Sequence, residues 1–207
     1  MPKSFNTQKY VQAQSEEILK RLKTSENRFY LEIGGKLCTD FHASRVLPGY
    51  EPDTKLQVLE KISENLELVY CISAPDLERE RLYSDTGMVY NKQVFEDLKN
   101  IEERGLKVSS VAITIYNKEE KADILKKQLD EQGIPNNIFN RIANYPKDID
   151  HILSDQGFGK EPKPNFKERL VAITGPGGGS GKMGICMIQL YHDYKAKNFS
   201  KYAKYET

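Results

Sequence analysis

The sequence contains no tryptophan, only 3 histidines and only 3 cysteines in 207 residues. The cysteines, Cys38, Cys71 and Cys186, stand far apart and without metal-ligand spacing. Such lone thiols exclude a disulfide framework and suit a reducing compartment. Long apolar runs are also missing: no stretch approaches the roughly 18 consecutive apolar residues of a membrane-spanning helix. The N-terminal MPKSFNTQKYVQAQSEE lacks the apolar region of a signal peptide, so a cytoplasmic location is expected. Charge of one sign is lacking too. The 31 basic and 30 acidic residues leave a net +1, so no global field directs the chain to nucleic acid or to an anionic membrane. What is present, 38% hydrophobic residues and 14 glycines, is the composition of a globular chain long enough to bury a core. Partners have to be sought in local sites.

Along the chain, helical and extended patterns alternate. Residues 8–23 (QKYVQAQSEEILKRLK) carry Tyr10, Val11, Ile18 and Leu22 at helical spacing. Strands are predicted at Arg28–Ile33, Leu66–Ile72, Val108–Tyr116 and Leu170–Thr174, where β-branched and other apolar residues cluster. A shorter extended piece lies around Ile138 and Phe139, and Asp150–Leu153 reads as a further strand. Between them come helical segments at Thr54–Ser63, Lys92–Arg104 and Lys118–Gln132, the last two closed by Gly105 and Gly133. Another helix runs from about Lys182 to Lys195, and Tyr202–Glu206 begins a last strand. Strands alternating with helices of this length imply crossover units and a mostly parallel sheet. The expected fold class is α/β, a Rossmann-like or P-loop-like three-layer arrangement. The expected organisation is one domain over residues 1–207, with an N-terminal helix within 1–27 and a Pro- and Lys-bearing connector at 160–168.

The richest local signal is the segment LVAITGPGGGSGKMGICMI, Leu170–Ile188. A buried strand runs into Gly175, Pro176, Gly177, Gly178, Gly179, Ser180, Gly181 and Lys182, and a helix starts there. Glycines let backbone N–H groups converge on an oxyanion, the helix N-terminus adds partial positive charge, and Lys182 adds a full one. The match to a Walker phosphate loop is imperfect: the first glycine, Gly175, stands one position early, and Met183 replaces the hydroxyl residue that holds magnesium. Either Ser180 or Thr174 substitutes for that hydroxyl, or no magnesium is bound here, and magnesium is not expected as a cofactor. The bland alternative is a tight strand-to-helix turn in which glycine merely permits close packing. Gly175-x-Gly177-x-x-Ser180 also approximates a dinucleotide fingerprint, for which Glu206 would be the acid after the next strand. A serine nucleophile elbow is disfavoured, because His192 and Asp193 are adjacent on the following helix and cannot form a relay to Ser180.

Two further polar segments are candidates. Lys36, Asp40, His42 and Arg45 follow the first strand in GGKLCTDFHASRVLPG. Arg45 and Lys36 suit an oxyanion, while Asp40 and His42 suit a metal or acid–base work, against the plainer reading of Asp40 as a helix cap and His42 as a surface or core histidine satisfied by hydrogen bonds. Asp155, in SDQGFG, would occupy the carboxyl end of the strand expected at Asp150–Leu153, the place of an acid that holds a metal-bound water. Turn formation by Asp155 and Gly157 is the competing reading.

Four segments, LEIGGKLCTDFHASRVLPGYEPDTK, SDTGMVY, SDQGFGK and TGPGGGSGKMGICMIQLYHDYK with KYAKYET behind it, together resemble a bacterial family of large cytosolic proteins filed as a domain of unknown function. Some of its members carry the label ATP-dependent peptidase, which these residues do not support. The resemblance covers nearly the whole chain. It implies a multi-domain α/β architecture that continues past the segment matching KYAKYET, so that this chain is expected to be an N-terminal portion. It also implies that Lys182-Met183 is family character; the departures are Gly175 and Gly178, where alanine and proline are more usual, and the connector.

The resulting expectation is a phosphate- or nucleotide-binding loop at Gly175–Met183, ATP or another phosphate-bearing molecule as ligand, and phosphoryl or nucleotide transfer as the leading chemistry. No metal ligand is assigned. The alternatives are a non-catalytic partner-binding or assembly domain, which includes a homo-oligomer, and an NAD-type dinucleotide domain.

Overall fold

The structure, a computed structural model, describes residues 5–206; residues 1–4 of the expected N-terminal stretch lie outside it. In chain order it contains α1 (Thr7–Lys23), β1 (Phe29–Ile33), α2 (Phe41–Val46), α3 (Thr54–Glu60), β2 (Leu66–Ser73), α4 (Ala74–Glu78), α5 (Tyr90–Glu103), β3 (Val108–Tyr116), α6 (Glu120–Glu131), β4 (Asn136–Asn140), α7 (Ile149–Ile152), β5 (Leu170–Thr174), α8 (Lys182–Lys195) and β6 (Lys201–Tyr205). The runs FYLEI, LELVYCIS and LVAIT do not alternate apolar with polar, and every residue in them is buried. That is the pattern of parallel strands covered on both faces. The edge strands β4 and β6 are instead mostly half-buried or exposed.

All six strands are parallel, in the order β4-β3-β2-β5-β1-β6. Side chains alternate between the two faces. Leu31 and Ile33 of β1, Tyr70 and Ile72 of β2 and Ala172 of β5 join the core beneath α1, α3, α5 and α6. Tyr30, Val69, Cys71, Val171 and Ile173 face α7 and α8 on the other side. The result is a three-layer α/β/α arrangement of Rossmann type. The chain moves outward from β1 through β2 and β3 to β4, returns to the centre with β5, and then leaves in the opposite direction to β6. Right-handed crossovers require that reversal to send the helices to the other face, which is why α8 lies opposite α3 and α5.

One expected strand is not formed. Asp150–Leu153 is not a strand. Asp148 accepts a hydrogen bond from the backbone N–H of His151 and caps α7, whose Ile152 reaches the core; a cap four residues before an apolar position is a helix signal that a short apolar run conceals. Directly after β2 the chain turns into α4: Ser73 caps it and Pro75 occupies its first turn, where a missing N–H costs nothing. No helix among the described residues is long and apolar enough to cross a membrane. The three cysteines are free and buried.

The α8–β6 crossover is tied down by Asp193, which is fully buried. Its carboxylate accepts from Tyr30 Oη on β1 and from Ser200 Oγ ahead of β6, both at 2.7 Å, and faces Arg28 at 3.4 Å and Lys163 at 3.6 Å. Removing one member of such a buried network strands the others. Asp193→Ala is expected to lower stability by about 3–5 kcal/mol, and Ser200→Ala by about 1.5–3 kcal/mol, both read from urea unfolding followed by circular dichroism.

Candidate functional site

The glycine-rich segment leaves the carboxyl end of β5, the second strand in from β3, at the point where neighbouring strands send their helices to opposite faces. Open α/β sheets form their ligand crevices at such a point. Gly175 is there for packing: a Cβ on it would lie 2.5 Å from the carbonyl oxygen of Cys71 and 2.6 Å from Ser180 Oγ. Gly181 is the N-cap of α8 in the left-handed region, with φ +82°, and no side chain caps the helix. Its Cβ would meet Thr114 Oγ1 at 2.5 Å. That same hydroxyl donates to the carbonyl of Ser180 at 2.9 Å and fastens the loop to β3. The helix N-terminus is therefore open, with its first N–H groups free of any side-chain acceptor.

Lys182 is the first residue of α8 and is only 6% exposed. Its ammonium donates to the carbonyl of Gly177 at 2.6 Å and lies 3.4 Å from Ser180 Oγ, and it forms no ion pair among the described residues. Burial lowers its pKa from the ordinary lysine value, and the cations Lys55 and Lys204 push it the same way, against Cys71 and Glu32. Beside it opens a cavity of about 600 Å³, bounded by the loop residues from Gly178 to Met183, by Glu32 and Lys204, and by an apolar wall that includes Ile115, Phe139 and Ile142. Ile115 has φ +57°. A β-branched side chain in the left-handed region is strained by about 1–3 kcal/mol, and it marks the irregularity where β3 parts from β4.

One carboxylate here was not among the sequence candidates. Glu32, next to last in β1, is 5% exposed and in step with Tyr30, so it faces α8. Its Oε2 accepts from Tyr202 Oη at 2.7 Å, while Oε1 stands 4.0 Å from Lys204 Nζ. Lys204 is engaged at 2.6 Å with Glu206. A second, smaller cavity of about 300 Å³ lies across Gly177 and Gly178 and shares Gly34, Gly35 and Glu206 with the first. In it Lys55, 2% exposed, donates to the carbonyl of Gly34 at 2.7 Å and to Asp40 Oδ2 at 2.8 Å.

The sequence candidates thus separate. Gly179, Ser180, Gly181, Lys182 and Met183 line the larger cavity, Gly177 the smaller one and Gly178 both; Gly175 lines neither. Met183 is 47% exposed at the rim. Thr174 Oγ1 is buried without a hydrogen-bond partner and borders neither cavity, so it offers no hydroxyl to a ligand there. Lys36 reaches the smaller cavity but is paired with Asp85 and lies 4.3 Å from the centre of the Tyr83 ring. Asp40 caps α2 through Ala43 N–H and is held by Lys55, which keeps its carboxyl below the usual range despite burial. His42 is an exposed residue on the rim of that cavity, and Arg45 is exposed and borders neither cavity.

Asp155 follows a helix instead of a strand. Its side chain is 82% exposed and engaged by Lys195 at 3.6 Å and Tyr191 Oη at 3.2 Å, away from both cavities, so it does not occupy the position expected of it. Ser180 Oγ donates to Gly177 at 3.1 Å, and His192, at the far end of α8, contacts the carbonyl of Glu161, so no relay reaches the serine. Glu206 does lie in the crevice, although β1 intervenes between β5 and β6. Among the missed residues, Glu32 had a readable signal, an acid inside a wholly apolar strand. Lys55, Lys204 and Thr114 had none, because their neighbours come from distant parts of the chain. Among the described residues no cluster of three or more His, Cys, Asp or Glu is arranged to hold a metal ion.

Fold and crevice together define a parallel three-layer α/β protein with a glycine-rich strand-to-helix loop at the carboxyl edge of its sheet. Residues 3–207 match the family described as "Domain of unknown function DUF1846, N-terminal", and the chain belongs to that family. It is 41% identical over 204 residues to a UPF0371 protein of Streptococcus uberis, covering 99% of this chain and 41% of the relative. UPF0371 proteins of Streptococcus pyogenes and Streptococcus pneumoniae are 40% identical over the same length and to the same coverage. The chain therefore spans about two fifths of the length of these relatives.

The two kinds of glycine in the loop make a test. Gly181→Ala is expected to cost about 1–3 kcal/mol from its left-handed φ alone, with more from the clash with Thr114. Gly178→Ala, where a Cβ meets nothing within 4 Å and no positive φ is required, is expected to leave the thermal midpoint unchanged.

Proposed function

We propose that the segment from Gly177 to Met183 binds the phosphate of a small ligand, with a nucleotide as the ligand class and phosphoryl or nucleotidyl transfer as the chemistry of the longer family members. The observation that carries this reading is the Lys182 ammonium. It is buried, rests on neutral acceptors without a carboxylate of its own, and sits at an uncapped helix N-terminus. A buried charge held without a counter-ion costs stability, and an oxyanion in the adjoining cavity would supply the missing partner while accepting from the helix amides. The cavity volume of about 600 Å³ falls in the range of small-molecule sites. Its polar floor suits a phosphate, and its apolar wall suits a flat, weakly polar body such as a base.

A dinucleotide is the second reading, and Glu206 favours it by bordering both cavities as an acid after the strand that follows the loop. The third, a non-catalytic assembly domain, is favoured by the exposed apolar side chains Ile149, Leu153 and Tyr194 around a groove between α7 and α8.

Calorimetric titration of inorganic phosphate, ATP and NAD separates these readings. ATP is expected to bind, and Lys182→Ala to weaken it by about tenfold or more, the worth of one charge-assisted hydrogen bond to phosphate. Absence of binding by all three ligands sinks the phosphate reading, and undiminished binding by the variant moves the site elsewhere. The pH profile has a definite sign. The lowered Lys182 pKa means that its charge is lost below the ordinary lysine range, so affinity should fall toward alkaline pH. Lys182→Arg, whose guanidinium stays charged, should flatten that fall.

A further inference from the structure

Three features of the molecule stand outside the phosphate loop: the apolar groove between α7 and α8, the Lys55–Asp40 pair, and the Glu32 carboxylate. Glu32 carries an inference furthest. Its side chain is 5% exposed, and Oε2 is satisfied by Tyr202 Oη. Oε1 has no hydrogen-bond donor among the described residues; its nearest cation, Lys204, is 4.0 Å away and bound more closely by Glu206. The largely buried carboxylate thus keeps one oxygen without a donor, and it borders the same cavity as the loop.

Charge balance narrows what the open oxygen faces. The cavity is bordered by the cations Lys182, Lys204 and Arg141 and by the carboxylates Glu32 and Glu206. It therefore carries about one net positive charge, whereas a nucleotide polyphosphate brings about three or four negative ones near neutral pH. Glu32 would repel such a ligand unless a cation came with it. Strand spacing sets the reach: Glu32 lies opposite Ile173 of β5, one strand, or about 4.8 Å, across from the strand that feeds the loop. Magnesium is typically held by one or two carboxylates together with substrate phosphates and waters, so it needs neither a preformed cluster of ligands nor a hydroxyl in the place of Met183.

Resting on the phosphate reading above, we propose that the phosphate-bearing ligand is bound as its divalent-cation complex and that Glu32 is the carboxylate that faces the cation. Glu206, paired with Lys204, has a different part: it keeps that ammonium away from Glu32 Oε1.

The experiment is calorimetric titration of ATP in EDTA and in excess magnesium, for the 207-residue protein and for Glu32→Gln, with circular dichroism to check folding. In the wild-type protein magnesium is expected to tighten ATP binding by about tenfold or more, the scale on which losing a metal-binding group is felt. In Glu32→Gln that gain is expected to vanish, while binding in EDTA stays the same or improves because a repelling charge has gone. Manganese with ATP should show an electron paramagnetic resonance spectrum altered by the wild-type protein and not by the variant. Tyr202→Phe, which keeps the carboxylate, should retain the magnesium effect. If Glu32→Gln does not fold, Glu32→Asp replaces it and should lose most of the gain. Binding without any magnesium effect, or an effect that survives Glu32→Gln, overturns the cation proposal and leaves the phosphate reading standing. Failure of ATP and phosphate to bind under every condition overturns both.

Discussion

The feature on which the rest of the structure depends is the insertion of β5 between β1 and β2. A strand that arrives late in the chain takes the centre of the sheet, pairing with β1 on one side and β2 on the other. All five of its residues are buried. Because the strands on its two sides were made much earlier, β5 joins parts of the chain that share no local contact. It also forces the next helix to the opposite face, and this opens the crevice at the carboxyl edge. The loop, the open N-terminus of α8 and the neighbouring Glu32 all follow from that one placement.

The second theme is charge held under constraint. The crevice contains cations and carboxylates that neutralise one another only in part. Lys55 and Asp40 are closely paired, as are Lys204 and Glu206. Lys182 rests on a backbone carbonyl and a serine hydroxyl instead, and Glu32 on one tyrosine hydroxyl with Lys204 at 4.0 Å. A fold selected for stability alone does better with apolar residues at such positions. The incomplete pairing of Lys182 and Glu32, which border one cavity, is the reason to read the crevice as a binding site. Burial raises the Cys71 thiol beneath the loop to about 12, so that group stays protonated and adds no charge.

The α/β class, the long strands and the loop were legible in the residues, because a β-branched run such as VSSVAITIY or a Gly-stopped charged helix such as α6 expresses its structure locally. Short segments were not. Asp150–Leu153 was read as a strand because four residues carry too little periodicity to distinguish the two forms, and the deciding contact is the Asp148 cap. Of the site residues, those in the loop itself were found, since glycines, lysine and helix start are consecutive. Asp155 was misplaced because its role depended on the strand that α7 replaces. Arg45 and Lys36 were chosen for their chemistry, but position left the first exposed and gave the second to Asp85.

By itself the sequence determined the alternation of strands and helices and the glycine-rich turn, since each rests on contacts between residues near in the chain, and the parallel character of the sheet, since a helix between successive strands implies a crossover. The order of the strands, the reversal at β5 and the meeting of Glu32, Thr114, Lys182 and Lys204 in one crevice were decided only by the tertiary structure. Hydrophobic pattern states which face of a strand is buried, but it does not state which other strand lies beside it. That choice depends on packing summed over the whole sheet, and the electrostatics of the site are a consequence of it.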